Sequence, residues 1–181
     1  VSIVTKTGDK GETSVMYGRR LSKGDLRVDA YGCIDELTAA LGLARSISPD
    51  KFVSDQIFAV QRDLIVIMGE LAMVPADRER YLKDGFQLTT TEMVDRITAV
   101  IFDLEKEKSL YPKGWAIPGE TVVSSALDFA RATCRRAERH IVTFSAGEKD
   151  FNSEILRYLN RVSDLCWVLA RFVEKRLQTS A

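Results

Sequence analysis

Residues 129–142 read FARATCRRAERHIV and carry Arg131, Arg135, Arg136, Glu138 and Arg139. On a helix, positions spaced i, i+4, i+7 and i+8 share one face. Arg131, Arg135, Glu138 and Arg139 have that spacing, so one face presents three guanidiniums and one carboxylate. Ala130, Cys134, Ala137 and Ile141 repeat the rule and form an apolar stripe beside it. Such a helix buries one side and offers the other either to solvent or to an anion.

A second candidate lies at the start. Residues 1–27, VSIVTKTGDKGETSVMYGRRLSKGDLR, lack helical periodicity and contain Gly8, Gly11, Gly18 and Gly24. Glycines permit backbone conformations closed to other residues. Clustered N–H groups in such a loop cradle phosphate oxygens. Lys6, Lys10 and Lys23 would add point charges, and Thr5, Thr7 and Thr13 hydroxyls. The segment is either a loose terminus or an ordered arm anchored by Ile3, Val4, Val15 and Met16, with one short extended piece near Val15–Tyr17. It is not a Walker A loop, because G-x-x-x-x-G-K-[ST] does not occur.

Other chemistries find little support. His140 is the only histidine, so one chain cannot build a His-rich metal site. The Glu-x-x-His pairs of di-iron bundles are absent. Ser/His/Asp or Cys/His catalysis would need His140, which has no nucleophile at evident spacing. Lys plus Arg equals Asp plus Glu, 26 each, so nothing in the charge balance calls for nucleic acid or an anionic membrane. Any anion site must be local. No apolar run approaches a membrane span, and no secretory signal is expected. Cys33, Cys134 and Cys166 are odd in number and widely spaced among apolar residues, which argues for reduced, buried thiols and a cytoplasmic location.

The elements that must position these residues are helical. At 181 residues the chain fits one domain. Apolar spacing predicts helices over about 28–46, 50–73, 92–106, 121–144 and 152–177. Pro49 and Pro75 close the first two, Thr90 or Thr91 would cap the third, and Gly147 would end the fourth. Residues 74–88 read as a long connection and 108–121 as a loop with Trp115 at its centre. Trp115 either packs back onto the fold or forms an aromatic lid over a flat ligand. Asn160, near the middle of the last helix, is a mediocre helix former that would serve as a buried hydrogen-bonding residue or a ligand contact. The expected fold is all-α, a five-helix antiparallel bundle with an irregular glycine-containing N-terminal segment.

Three stretches, TKTGDKGETS, AYGCIDEL, and CRRAERHIV with YLNRVSDLCWVLAR, closely resemble the PduO-type ATP:cob(I)alamin adenosyltransferases. The resemblance runs in order from Thr5 to Arg171. It implies a five-helix bundle assembling as a homotrimer, with sites between subunits. It implies transfer of the 5′-deoxyadenosyl group of ATP to cob(I)alamin, with release of triphosphate. The family's ATP loop maps onto Thr5, Lys6, Thr7, Gly8, Asp9, Lys10, Gly11 and Thr13, followed by Lys23. Its second ATP segment maps onto Arg135, Arg136, Glu138 and Arg139, with Asn160 on the next helix, contributed by the neighbouring subunit. An intersubunit ion pair maps onto Asp35 and Arg131. Trp115 stands where the family places a Phe against the corrinoid.

The same resemblance makes Lys6, Lys23 and Arg135 the catalytic cations on the leaving triphosphate, with Mg²⁺ held mainly by ATP and no protein metal site. Cobalamin is a substrate, entering as cob(I)alamin or cob(II)alamin. A flavoprotein reductase and an adenosylcobalamin-dependent acceptor enzyme are the expected partners. A single domain spans 1–181, with 1–27 as the ATP segment and 28–177 as the bundle. The alternatives are an ATP- and corrinoid-binding delivery module without turnover, or a helical assembly protein whose arginine face makes subunit contacts.

Overall fold

The computed structural model describes residues 3–180, with side chains through Gln178. It is mostly helical. Two short strands, β1 (Glu12–Ser14) and β2 (Arg20–Ser22), precede α1 (Leu26–Ile47), α2 (Lys51–Ala72), α3 (Arg78–Lys83), α4 (Thr91–Leu104), α5 (Val122–Ser145) and α6 (Glu154–Ser180). Six α-helices therefore occur among the described residues, not five. The extra one, α3, lies in the stretch read from sequence as a connection. It follows a 3₁₀ turn at Pro75–Asp77, and its single inward residue, Tyr81, leaves no periodicity to detect.

Caps explain where the long helices begin. Asp25 accepts the Arg27 N–H at 2.8 Å and opens α1. Asp50 accepts the Val53 N–H at 3.1 Å and opens α2. Only Ser48, Pro49 and Asp50 join these two helices, which forces them antiparallel. Thr121 and Ser124 form a reciprocal capping box at α5. Thr90 precedes α4 but makes no side-chain cap. Its hydroxyl instead bonds the Glu92 carboxylate and lowers that group's pKa.

α5 packs between α1 and α6; α2 lies on α1 and α4 on α6. Its small buried residues, Ala126, Ala130, Cys134 and Ala137, let helices approach from two sides. Ala130, Cys134, Ala137 and Ile141 are fully buried, as their spacing predicted. Leu37, Leu64, Leu127 and Leu159 fill the same core. Among the described residues, no helix is long and apolar enough to cross a membrane.

The N-terminal segment is more regular than its composition suggested. β1 and β2 pair antiparallel, with Thr13 opposite Leu21 and Ser14 opposite Arg20. Of the expected extended piece Val15–Tyr17 only Val15 is extended; the strands are joined by a 3₁₀ turn at Met16–Gly18. Tyr17 (φ 60°) and Gly18 (φ 72°) both take the left-handed conformation that closes it. A tyrosine there is strained unless held. Its hydroxyl donates to Asp84 at 3.0 Å and the Arg80 guanidinium sits 4.0 Å over its ring. The unexpected helix α3 thus anchors the hairpin.

Candidate functional site

The arm carries the first group of predicted residues. Its turn is closed by Gly11 N–H to Gly8 carbonyl at 3.2 Å and Lys23 N–H to Gly11 carbonyl at 2.8 Å. Gly11 has φ 81° and Lys6 φ 56°, both in the left-handed region. Arg20 donates to the Thr7 carbonyl at 2.6 Å and to the Ser14 hydroxyl at 3.1 Å. The result is an open cleft of about 540 Å³ lined by Lys6, Thr7, Asp9, Lys10, Ser14 and Arg20.

Gly8 and Lys23 belong to the same turn. A Cβ on Gly8 would stand 3.2 Å from the Lys23 Nζ and 3.4 Å from the Glu12 carbonyl oxygen. Glycine lets that ammonium lie against the backbone. Thr5 and Thr7 share a hydroxyl hydrogen bond of 2.9 Å. Thr13 does not join the cleft: strand alternation places it on the face opposite Ser14. Ser14 and Arg20 were missed from sequence. Their pairing across the hairpin is what brings them to the cleft, and no local motif signals it.

The second group sits on α5. Arg135 and Arg139 are exposed, and Arg139 donates to the Arg135 carbonyl at 3.0 Å. Glu138 faces an open groove of about 490 Å³ that it shares with Asn160, Arg157 and Arg161 of α6 and Asp95 and Thr98 of α4. Arg157 is paired with Glu154 at 2.8 Å and Arg161 with Asp164 at 2.9 Å. Asn160 accepts from Arg161, so it lines the groove instead of satisfying a core group. Arg136 points elsewhere, into an ion pair with Glu36 on α1.

Arg131 is half-buried and lies 3.8 Å from Asp128, with its Nε buried and lacking a hydrogen-bond partner. Asp128 is held more closely by Arg171, at 2.6 Å with both side chains 4% exposed. Asp35 is exposed on α1 and is not paired with Arg131 within the chain. Trp115 is 97% exposed, so the expectation that it packs back onto the fold is not met. Ile117 and Val122 near it are exposed as well.

No hydrogen bond or ion pair between described residues joins the arm cleft to Arg135, Glu138, Arg139 or Asn160. Neither patch contains a cysteine or histidine, and the Ser14 hydroxyl in the arm cleft accepts from the Arg20 guanidinium instead of donating to a base. All three cysteines are free and buried. Burial raises the Cys134 thiol far above its ordinary range and pushes Cys166 up to about 12. The arrangement can bind and orient an anion but has no side chain poised to attack one.

The sequence profile of cobalamin adenosyltransferases matches residues 3–173. The chain belongs to the cobalamin adenosyltransferase family. It is 36% identical to the corrinoid adenosyltransferase PduO of Salmonella typhimurium, over 94% of this chain and 49% of that protein. The chain thus spans about half the length of that relative. It is 34% identical to the corrinoid adenosyltransferase of Bacillus subtilis, over 97% of this chain and 88% of that one. A solved variant of the PduO-type ATP:corrinoid adenosyltransferase from Lactobacillus reuteri, complexed with cobalamin and ATP, matches with TM-score 0.86 and 33% identity. That match covers 98% of this chain and 93% of the other. A second variant of that enzyme, complexed with ATP, matches with TM-score 0.85 and 33% identity over 98% and 96%.

Proposed function

We infer that this chain transfers the 5′-deoxyadenosyl group of ATP to cob(I)alamin, forming adenosylcobalamin and releasing triphosphate. The observation that carries the reading is the pair of incomplete cationic sites, an arm cleft and a helical arginine face, in a chain of this family. The chain acts as a homotrimer in which the arm of one subunit covers the α5 face of the next. Thr5, Lys6, Thr7, Gly8, Asp9, Lys10, Gly11 and Lys23 form the nucleotide's near wall, and Arg135, Glu138, Arg139 and Asn160 the far one; Thr13, on the opposite strand face, and Arg136, engaged by Glu36, stand outside both walls. Arg131 takes Asp35 of the neighbouring copy as its partner; the partly exposed Arg131 side chain and the exposed Asp35 support this. The unit is a single domain over 1–181, with 1–27 serving the nucleotide and 28–177 the helical scaffold.

The chemistry needs no protein nucleophile. The lone pair of Co(I) attacks C5′, the cobalt–carbon bond forms, and the C5′–O bond breaks with its electrons leaving on triphosphate. The protein's task is to hold C5′ facing cobalt and to stabilise growing charge on the leaving group. Lys6, Lys23 and Arg135 supply positive charge there. Glu138 orients the arginines or contacts ribose.

Magnesium enters with ATP and neutralises phosphate charge. The cleft offers one carboxylate, Asp9, beside the Thr7 and Ser14 hydroxyls, which fits an ion held chiefly by phosphate oxygens and water. Trp115 covers the lower face of the corrinoid, excludes its lower ligand and water, and eases reduction to Co(I). A flavoprotein reductase supplies that electron and an adenosylcobalamin-dependent enzyme takes the product, in the cytoplasm.

Mixing the protein with ATP, Mg²⁺ and chemically reduced cobalamin should produce the spectrum of adenosylcobalamin. Absence of product at any enzyme concentration would reject the enzyme. The indole at position 115 favours one other reading, a delivery module that binds ATP and corrinoid without turnover. Tight ATP binding with no transfer would establish it.

A further inference from the structure

Asp29, Cys33 and His140 form a cluster that adenosyl transfer does not use. Asp29 and Cys33 stand four residues apart on α1 and so share a face. α5 packs along α1 and brings His140 to the same place. A carboxylate oxygen of Asp29, the Cys33 Sγ and a ring nitrogen of His140 all lie within 4.8 Å of one another. The His140 Nδ1 is 2.5 Å from an Asp29 oxygen, so these two side chains already converge. Cys33 is 7% exposed, whereas the side chains of His140 and Asp29 are 39% and 45% exposed. A cation could therefore enter from solvent and meet the sulfur at the floor of the cluster.

We propose that Asp29, Cys33 and His140 form a binding site for a zinc-class divalent cation on the seam between α1 and α5, with one coordination position open to solvent. The donor set selects the ion. Thiolate, imidazole and carboxylate together suit Zn²⁺, which accepts all three. Mg²⁺ and Ca²⁺ demand oxygen and are poorly served by a thiol. Zinc–ligand bonds of about 2.0–2.3 Å put tetrahedral donors roughly 3.3–3.8 Å apart, between the 2.5 Å His140–Asp29 contact and the 4.8 Å limit of the cluster, so the ion replaces that contact and parts the two side chains. With the thiol ionised and the imidazole neutral, the two ligand charges match the ion's two.

The site must compete with protons. Burial first, then the carboxylates of Asp29 and Glu36 on α1, raise the Cys33 pKa; Arg136 on α5 lowers it. His140, the other titratable group of α5 here, must also be neutral to ligate. Zinc binding therefore releases the thiol proton and strengthens as pH rises. A structural account of the same residues needs only an Asp29–His140 ion pair and a cysteine that fills space, with no preference for any metal. The proposal does not rest on the adenosyl-transfer reading, and its test measures no turnover.

The test titrates reduced, metal-free protein with Zn²⁺ against a chromophoric chelator, and with Co²⁺ as a spectroscopic substitute. The proposal expects one ion per chain, a thiolate-to-cobalt charge-transfer band, and proton release on binding. Cys33→Ser should abolish the band and weaken zinc at least about tenfold, and His140→Gln and Asp29→Asn should weaken it in the same direction. Circular dichroism checks that each variant is folded; His140→Gln, at a partly exposed position, keeps the test valid if Cys33→Ser unfolds. Failure of the unmodified protein to compete for stoichiometric zinc would overturn the site. So would zinc affinity unchanged in folded Cys33→Ser or His140→Gln.

Discussion

Asp77 grips the guanidinium of Arg19 with both carboxylate oxygens, one of them 2.7 Å from Nη2 and the other against Nε. This contact ties the turn of the N-terminal hairpin to the segment between α2 and α3. It works beside the Tyr17–Asp84 hydrogen bond, and together they set where the arm cleft sits. Asp77→Asn should loosen the arm and raise the KM for ATP by roughly two- to fivefold, the range for one partly exposed ion pair, with kcat less affected. An unchanged KM would show that the arm holds its place without this contact.

The same pair has a pH signature. The Arg19 hydrogen bond is the main cause that lowers the Asp77 pKa. A depressed carboxyl contributes to the folded arrangement above its unfolded pKa of about 3.9 and loses that contribution as pH falls through the folded value. Arm attachment should therefore be flat from neutral pH to mildly acidic pH and weaken only below about pH 4. Tyrosine fluorescence, compared between the parent and Asp77→Asn, would report it; a transition near neutrality would contradict it.

Arg135 is exposed and makes no side-chain ion pair among the described residues. Arg135→Ala should leave the melting curve within about 0.5 kcal/mol of the parent. It should lower kcat/KM for ATP by about 10²–10³-fold, the usual cost of losing one donor to developing charge. Loss of stability in place of activity would assign the residue to the scaffold.

Trp115 is almost entirely exposed, so Trp115→Ala should cost no stability in the isolated subunit. Activity with pre-reduced cobalamin should survive better than activity starting from cob(II)alamin. Equal losses in the two assays would remove the lid.

Asp35→Ala and Arg131→Ala should each shift sedimentation towards smaller species at micromolar protein. If the two residues meet across an interface, the double variant should be no worse than either single one. Additive losses would mean that they act apart.

Arg171 tests the scaffold behind the arginine face. It binds Asp128 and Glu174 from a position 4% exposed. Arg171→Ala leaves the buried Asp128 with Arg131 alone, at 3.8 Å, and should cost about 3–5 kcal/mol of unfolding free energy by denaturant titration. A shift under about 1 kcal/mol would show that water reaches the pair.

The long helices were readable because a helix writes its buried face into its own spacing. Ala130, Cys134, Ala137 and Ile141 needed no partner to be recognised, and neither did the charged face beside them. Glycines and lysines in the arm likewise marked a tight, positively charged turn. The hairpin was not readable, since strands of three residues are too short to show alternation and their register depends on Tyr17 being held by α3. Nor was the fate of Arg136, which turns to Glu36, or the meeting of Asp29, Cys33 and His140. Periodicity states which side of a helix is buried or charged. Which neighbour lies against that side is settled by packing between segments far apart in the chain, and that pairing determines which charges are neutralised and which remain available to a ligand.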